Sequence, residues 1–176
     1  MFHPIYIYGE EVLRKKAEDV DLDDPLLPTI IEDMFMTMRM ARGAGLAAPQ
    51  IGLSKRIVVV EDEIAEGVLF KGVFLNPKII SYGGYLTKMT EGCLSFPDLK
   101  IDVNRHTFID IEWYDENKKY NREMLSGLQA IILQHEIDHL NGVLFIDKLN
   151  ADDRLKIFMR LEDIKNKKVA PIYPIK

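Results

Sequence analysis

The chain has one cysteine, Cys93, and only four histidines. A single cysteine cannot form an internal disulfide, so Cys93 is a buried apolar filler, a reactive thiol or a metal ligand, and filler is the commonest of the three. Long apolar runs are also missing. The longest are Ile57 to Val60 and Leu128 to Leu133 with Gln129 inside, far short of the ~20 residues a helix needs to span a bilayer. Positive charge is in deficit: the net charge is −5, which leaves no broad cationic surface for nucleic acid or anionic lipid. Residues Met1 to Tyr6 lack the basic region, apolar core and small-residue cleavage site of a secretion signal, and the Arg- and Ser-rich character of a transit peptide. The expected location is the cytoplasm. Repeats and low-complexity segments are absent.

What remains is an ordinary globular composition: 176 residues, 47% apolar and 29% charged. That length suits one compact domain over residues 1–176. Residues 10–18 read as an extended segment, and Asp21 to Pro25 as a loop that starts a helix. From Pro28 to Arg42, apolar Ile30, Ile31, Met34, Met38 and Ala41 recur at helical spacing, and Gly43 and Gly45 end the helix. Arg56 to Glu61 is a β-branched strand. Val68 to Ile80 reads as two short strands broken at Asn76-Pro77, and Gly83-Gly84 as a turn. Thr107 to Trp113 alternates as a strand, with a hairpin turn at Asp115 to Lys118 and a short return strand. Ser126 and Gln129 suit a capping box for a helix that Asn141 and Gly142 stop. A last helix spans about Ala151 to Asn166, and residues 168–176 form an extended tail. Strands arrive in hairpin runs instead of alternating with helices. The expected class is therefore α+β, with antiparallel sheets packed around a central helix and a helix near each terminus.

That central helix carries His135, Glu136 and His139, an H-E-x-x-H pattern. Residues four apart share a helix face with β-carbons ~5–6 Å apart, so both imidazoles can reach one divalent ion. The glutamate beside the first ligand can reach a water on that ion and act as its acid/base. The bland alternative is two histidines on a solvated face. The flanks, Ile131, Ile132, Leu133, Ile137 and Leu140, are apolar, however, so the helix is buried and its polar groups need partners.

A catalytic site of this kind has three protein ligands and one open position. The longer H-E-x-x-H-x-x-G-x-x-H pattern fails: Gly142 fits, but the last position is Phe145. Glu162 lies in a charged run and reads as solvated. His3 is terminal, and His106 lies in a strand region. Cys93 remains, in the setting Glu91-Gly92-Cys93-Leu94-Ser95. One thiolate and two imidazoles suit zinc, or ferrous iron where the cell supplies it.

Three segments, Gly43 to Gln50, Glu91 to Ser95 and Gln134 to His139, together resemble the signature motifs of the peptide deformylase family, in order. The resemblance runs from Tyr8-Gly9 to the last helix. It implies a hydrolase that removes the N-formyl group from the initiator methionine of new polypeptides, with transient contact at the ribosome. It implies a single divalent ion, ferrous iron in the cell and replaceable by zinc, nickel or cobalt, on Cys93, His135 and His139. Glu136 would be the general base and then proton donor, and Gln50 and the Leu94 N–H would hold the oxyanion. Leu128, Ile131 and Ile132 precede His135 by seven, four and three residues, so they share its face as an apolar wall. In the family such residues line the methionine pocket. Gly43, Ala44 and Gly45 would offer backbone hydrogen bonds to an extended peptide. Glu91 is counted with the substrate side but reads as ordering its loop, with Arg105 a candidate partner. An endopeptidase with a different third ligand and a non-catalytic metal-stabilised module are the rival readings.

Overall fold

The computed structural model describes residues 1–176. Its sheet is laid down in chain order, each strand antiparallel to the next: β1 (Gly45–Ala47), β2 (Ile57–Ala65), β3 (Val68–Cys93), β4 (Phe96–Tyr114) and β5 (Tyr120–Ser126). Helix α1 (Leu27–Met40) precedes the sheet. Helix α2 (Gly127–Leu140) follows it, and α3 (Ala151–Lys156) and α4 (Phe158–Lys165) come last. This is the expected α+β arrangement. No helix is long and apolar enough to cross a membrane.

Strand β2 shows why the elements pack as they do. Ile57, Val58, Val59 and Val60 are all fully buried. Ile57 and Val59 meet Met34 and Met38 of α1, while Val58 and Val60 meet Ala130, Leu133, Ile137 and Leu140 of α2. A strand covered on both faces loses its apolar-polar alternation. Each such side chain contributes about 1.5–3 kcal/mol by leaving water. Ten of the 14 residues of α2 are buried, so the helix lies inside the fold and its polar residues must find partners there. A third core, with Phe96, Ile101 and Val103 of β4, packs on Phe145, Leu161 and Ile164.

Several local readings needed the tertiary structure to correct them. Asn76-Pro77 does not end a strand. Asn76 adopts φ +50°, the register shifts between Leu75 and Lys78, and β3 continues. The kink is held because the Asn76 side chain both accepts from and donates to the Val20 backbone, at 2.8 and 3.0 Å. Proline is tolerated at such an irregularity because its missing N–H costs no ladder bond there. Gly83 and Gly84 likewise bend β3 without reversing it, since β4 stays paired on both sides of them. The segment at residues 10–18 contains a 3-10 turn, Glu11–Arg14, that fully buries Leu13. Helix α1 ends on Arg42 in the left-handed region, φ +58°, with Gly43 N–H donating to the Met38 carbonyl. Ser126 makes no side-chain cap bond, because the chain runs directly from its β5 pairing with Phe108 into α2. The last helix is two, parted at Ile157. The stop at Asn141-Gly142 is as expected: Gly142 has φ +71°, and a Cβ there would lie 2.4 Å from the Arg14 carbonyl oxygen. The tail lies extended against the start of the chain, with Ile175 bridged to Ile5.

Candidate metal centre and its cleft

Helix α2 presents His135 and His139 one turn apart, ring centroids 5.1 Å from each other. Cys93 is brought to them by the β3–β4 hairpin, in which Cys93 pairs with Phe96 across a two-residue turn, Leu94-Ser95. Its Sγ lies 3.2 Å from His139 Nε2. One donor atom each from Cys93, His135 and His139 lies within 4.8 Å of the others. Phe145, where a third histidine would stand in the longer motif, packs edge-on against His135 at 5.7 Å. His3 instead meets Asp33, and His106 packs against Tyr82; neither reaches the cluster.

A buried ion network stands behind His135. Its Nδ1 is 2.8 Å from Glu91 Oε2. Arg105, fully buried, donates to both Glu91 oxygens at 2.7 and 2.9 Å. Arg105 also reaches Asp138, which Lys148 approaches at 3.1 Å. Burial alone would raise the Glu91 carboxyl, but the hydrogen bonds from Arg105 and His135 outweigh it and bring the pKa down to about 2. An ionised Glu91 holding Nδ1–H leaves Nε2 of His135 as the ring atom for a cation.

Glu136 is buried, and its Oε2 has no partner in the protein. Burial pushes its pKa up to about 7, where a carboxylate exchanges protons near neutrality. Its approach depends on Gly45, since a Cβ on Gly45 would lie 2.7 Å from Glu136 Oε1. Gln50 is buried in the 3-10 turn Ala48–Ile51. Its Oε1 accepts the Ala47 N–H at 2.9 Å, which turns Nε2 toward Ser95 Oγ at 3.3 Å and Cys93 Sγ at 3.6 Å. The Leu94 N–H donates to no protein acceptor.

These groups line a cavity of about 500 Å³. Gly43, Ala44, Gly45, Gln50, Glu91, Cys93, Leu94, Leu128, Ile131, Ile132, His135 and Glu136 all border it, and His139 sits behind. So the structure gathers at one place every residue that the family resemblance assigns to the site. It adds Arg42, Asp62, Met89, Lys100 and Tyr173 to the cavity wall and Asp138 to the network. Nothing local in the sequence marks these. Strand β1 is the edge of the sheet, paired only with β2; on its other side the Ala47 N–H is taken by Gln50, and Gly45 borders the cavity.

The residues fit a divalent cation. The donor set is one sulfur and two imidazoles, and His139, depressed well below the usual histidine value first by burial and then by repulsion from His135 and Arg105, is neutral as a ligand must be. Around His135, burial disfavours charge, but Cys93, Glu91 and Glu136 together outweigh it and favour positive charge at that spot.

A family model described as polypeptide deformylase matches residues 2–155. A peptide deformylase from Christiangramia forsetii is 41% identical, covering 100% of this chain and 96% of its own. The crystal structure of peptide deformylase from Thermus thermophilus is similar with a TM-score of 0.86 at 41% identity, over 95% of this chain and 99% of that one. A class I type b peptide deformylase from Acinetobacter baumannii, described with Met-Ala-Ser bound, has a TM-score of 0.80 at 30% identity, over 85% of this chain and 99% of that one.

Proposed function

Because the chain belongs to the polypeptide deformylase family, whose members are enzymes acting on formylated nascent peptides, we propose that its cleft holds the N-terminus of a formyl-methionyl peptide and adds water across the formamide, giving formate and a free α-amine. The observation that carries this is the meeting of the Cys93, His135 and His139 donor atoms within 4.8 Å, with buried Glu136 beside them. A divalent cation on those three residues, ferrous iron in the cell with zinc, nickel or cobalt as substitutes, supplies Lewis acidity that acidifies water and polarises a carbonyl.

The protein's own groups do the rest. Glu136 takes a proton from the attacking water at a carboxylate oxygen and passes it to the departing amine nitrogen. Gln50 Nε2 and the unused Leu94 N–H face the charge that develops on the formyl oxygen; a donor so aimed contributes about 2.7–4 kcal/mol in comparable sites. Leu128, Ile131 and Ile132 give the methionine side chain an apolar wall. The edge of β1 at Gly45, with Gly43 and Ala44 leading into it, pairs with the peptide backbone as an added strand does. Glu91 acts through His135 and not on substrate. The Acinetobacter protein is described with a peptide that begins with methionine, which accords with this assignment. Acting on nascent chains implies a cytoplasmic location and passing contact with the ribosome.

Protein loaded with ferrous iron under anaerobic conditions should release formate from formyl-Met-Ala-Ser; inactivity on every formylated peptide would revive the non-catalytic reading. Cys93→Ala should lose both bound metal and formate release. Full metal content and activity in that variant would favour an endopeptidase with another third ligand. Gly45→Ala should cost on the order of 100-fold in kcat, because its methyl displaces the Glu136 carboxylate by a fraction of an ångström to one, while metal content stays at the native level.

A further inference from the structure

The two proposed oxyanion donors hang on one short segment at the start of the chain. Tyr6 N–H donates to the Gln50 carbonyl at 2.8 Å and Tyr8 N–H to the Ser95 carbonyl at 2.9 Å. The same segment holds the C-terminal tail, since Ile5 N–H donates to the Pro174 carbonyl and Lys176 N–H to the Ile5 carbonyl, both at 2.9 Å. Immediately before Pro174 in the tail, Tyr173 turns inward. Its ring borders the cavity and packs on the α1-side core, and its hydroxyl donates to the Leu94 carbonyl at 2.8 Å. With Tyr8 on Ser95 and Tyr173 on Leu94, both carbonyls of the two-residue turn are held from outside the hairpin. Only the Leu94 N–H of that residue's backbone is left free. Tyr173 and the tail that carries it lie beyond residue 155, where the family match ends.

We propose that Tyr173 is a positioning residue: its hydroxyl fixes the Leu94 carbonyl, and thereby the orientation of the Leu94 N–H that receives the formyl oxygen. A two-residue turn has few bonds of its own, so an anchor on one carbonyl restricts the neighbouring peptide planes directly. The effect belongs to the transition state, because the N–H is aimed at charge that is small in bound substrate and large on the tetrahedral carbon's oxygen. The inference rests on the deformylase reading for its kinetic arm only.

The test is Tyr173→Phe, which keeps the ring in the core and removes only the hydroxyl. For the metal-loaded enzyme, kcat should fall roughly two- to twelvefold, the worth of one neutral hydrogen bond. KM should be unchanged, and the loss should be equal for formyl-Met-Ala and formyl-Met-Ala-Ser. In the zinc-loaded protein, amide order parameters of Cys93, Leu94 and Ser95 should drop from the rigid range of about 0.85, while those of α2 hold. Unchanged kcat, or a lowered melting temperature with kcat retained, overturns the proposal. A KM that rises with peptide length also overturns it and makes Tyr173 a wall of the groove. If the unaltered protein releases no formate, the activity reading fails by itself; the order parameters still decide whether Tyr173 holds the turn.

Discussion

Replacing Glu136 with glutamine should stop formate release while leaving the metal in place. The two side chains have nearly the same shape, so the buried site keeps its packing. What disappears is the carboxylate that accepts a proton from water and returns it to the amine. General acid–base groups contribute about 10²–10⁴ in rate, and kcat should fall by that much. Burial supports the size of the effect, since a carboxyl pushed up to about 7 is a better base than an exposed one. None of Cys93, His135 and His139 is altered, so metal analysis should return the native stoichiometry. KM should change little, because Glu136 contributes to the reacting atoms and not to the methionine wall. A variant within about tenfold of native kcat would remove Glu136 from its role and return the choice of base to Glu91 or a solvent path.

The second large effect concerns stability. Arg105→Met should destabilise the fold by about 3–5 kcal/mol, the usual consequence of removing one member of a buried ion network. Arg105 is 2% exposed, and it is the cation that faces both Glu91 and Asp138. Methionine fills much of the volume but takes from the buried Glu91 the two N–H donors of Arg105 and leaves it only His135. Lys148 reaches Asp138 at 3.1 Å and relieves only that carboxylate. Denaturant unfolding of the metal-free variant measures the loss; a change below about 1 kcal/mol would mean that water enters the network freely. A second consequence follows along the same chain of contacts. Glu91 orients His135 through Nδ1, and disturbing such a partner lowers metal affinity by about 10–100-fold. Competition with a chelator should show that drop even where the variant still folds.

The helical part of the site was readable because its geometry is local. A spacing of four residues from His135 to His139 puts them on one face of any α-helix, and apolar neighbours on all sides say that the helix is inside. The fully buried run of β2, the hairpin at Asp115 and the stop at Gly142 are of the same kind: each follows from side-chain branching or backbone freedom within a few residues. The strand breaks read at Asn76-Pro77 and Gly83-Gly84 failed for a physical reason. Whether such residues end a strand or bend it depends on whether a neighbouring strand stays in register, and here β4 does. The capping box at Ser126 failed because β5 already held that residue.

Cys93 stands between these cases. Elimination of Phe145, His3, His106 and Glu162 pointed to it as the third ligand. Only the register of β3 on β4, with Cys93 opposite Phe96, brings its sulfur within 3.2 Å of His139. Tyr173 and the Arg105–Asp138 contact had no signal at all in the chain, since each joins segments far apart in sequence through one side chain. The sequence by itself thus determined the helix that carries His135, Glu136 and His139 and the chemistry open to it, because spacing along a helix is set by the backbone. The closed metal triad, the network that orients His135 and the anchor on Leu94 were decided only by tertiary structure, because sheet register and packing choose which distant side chains meet.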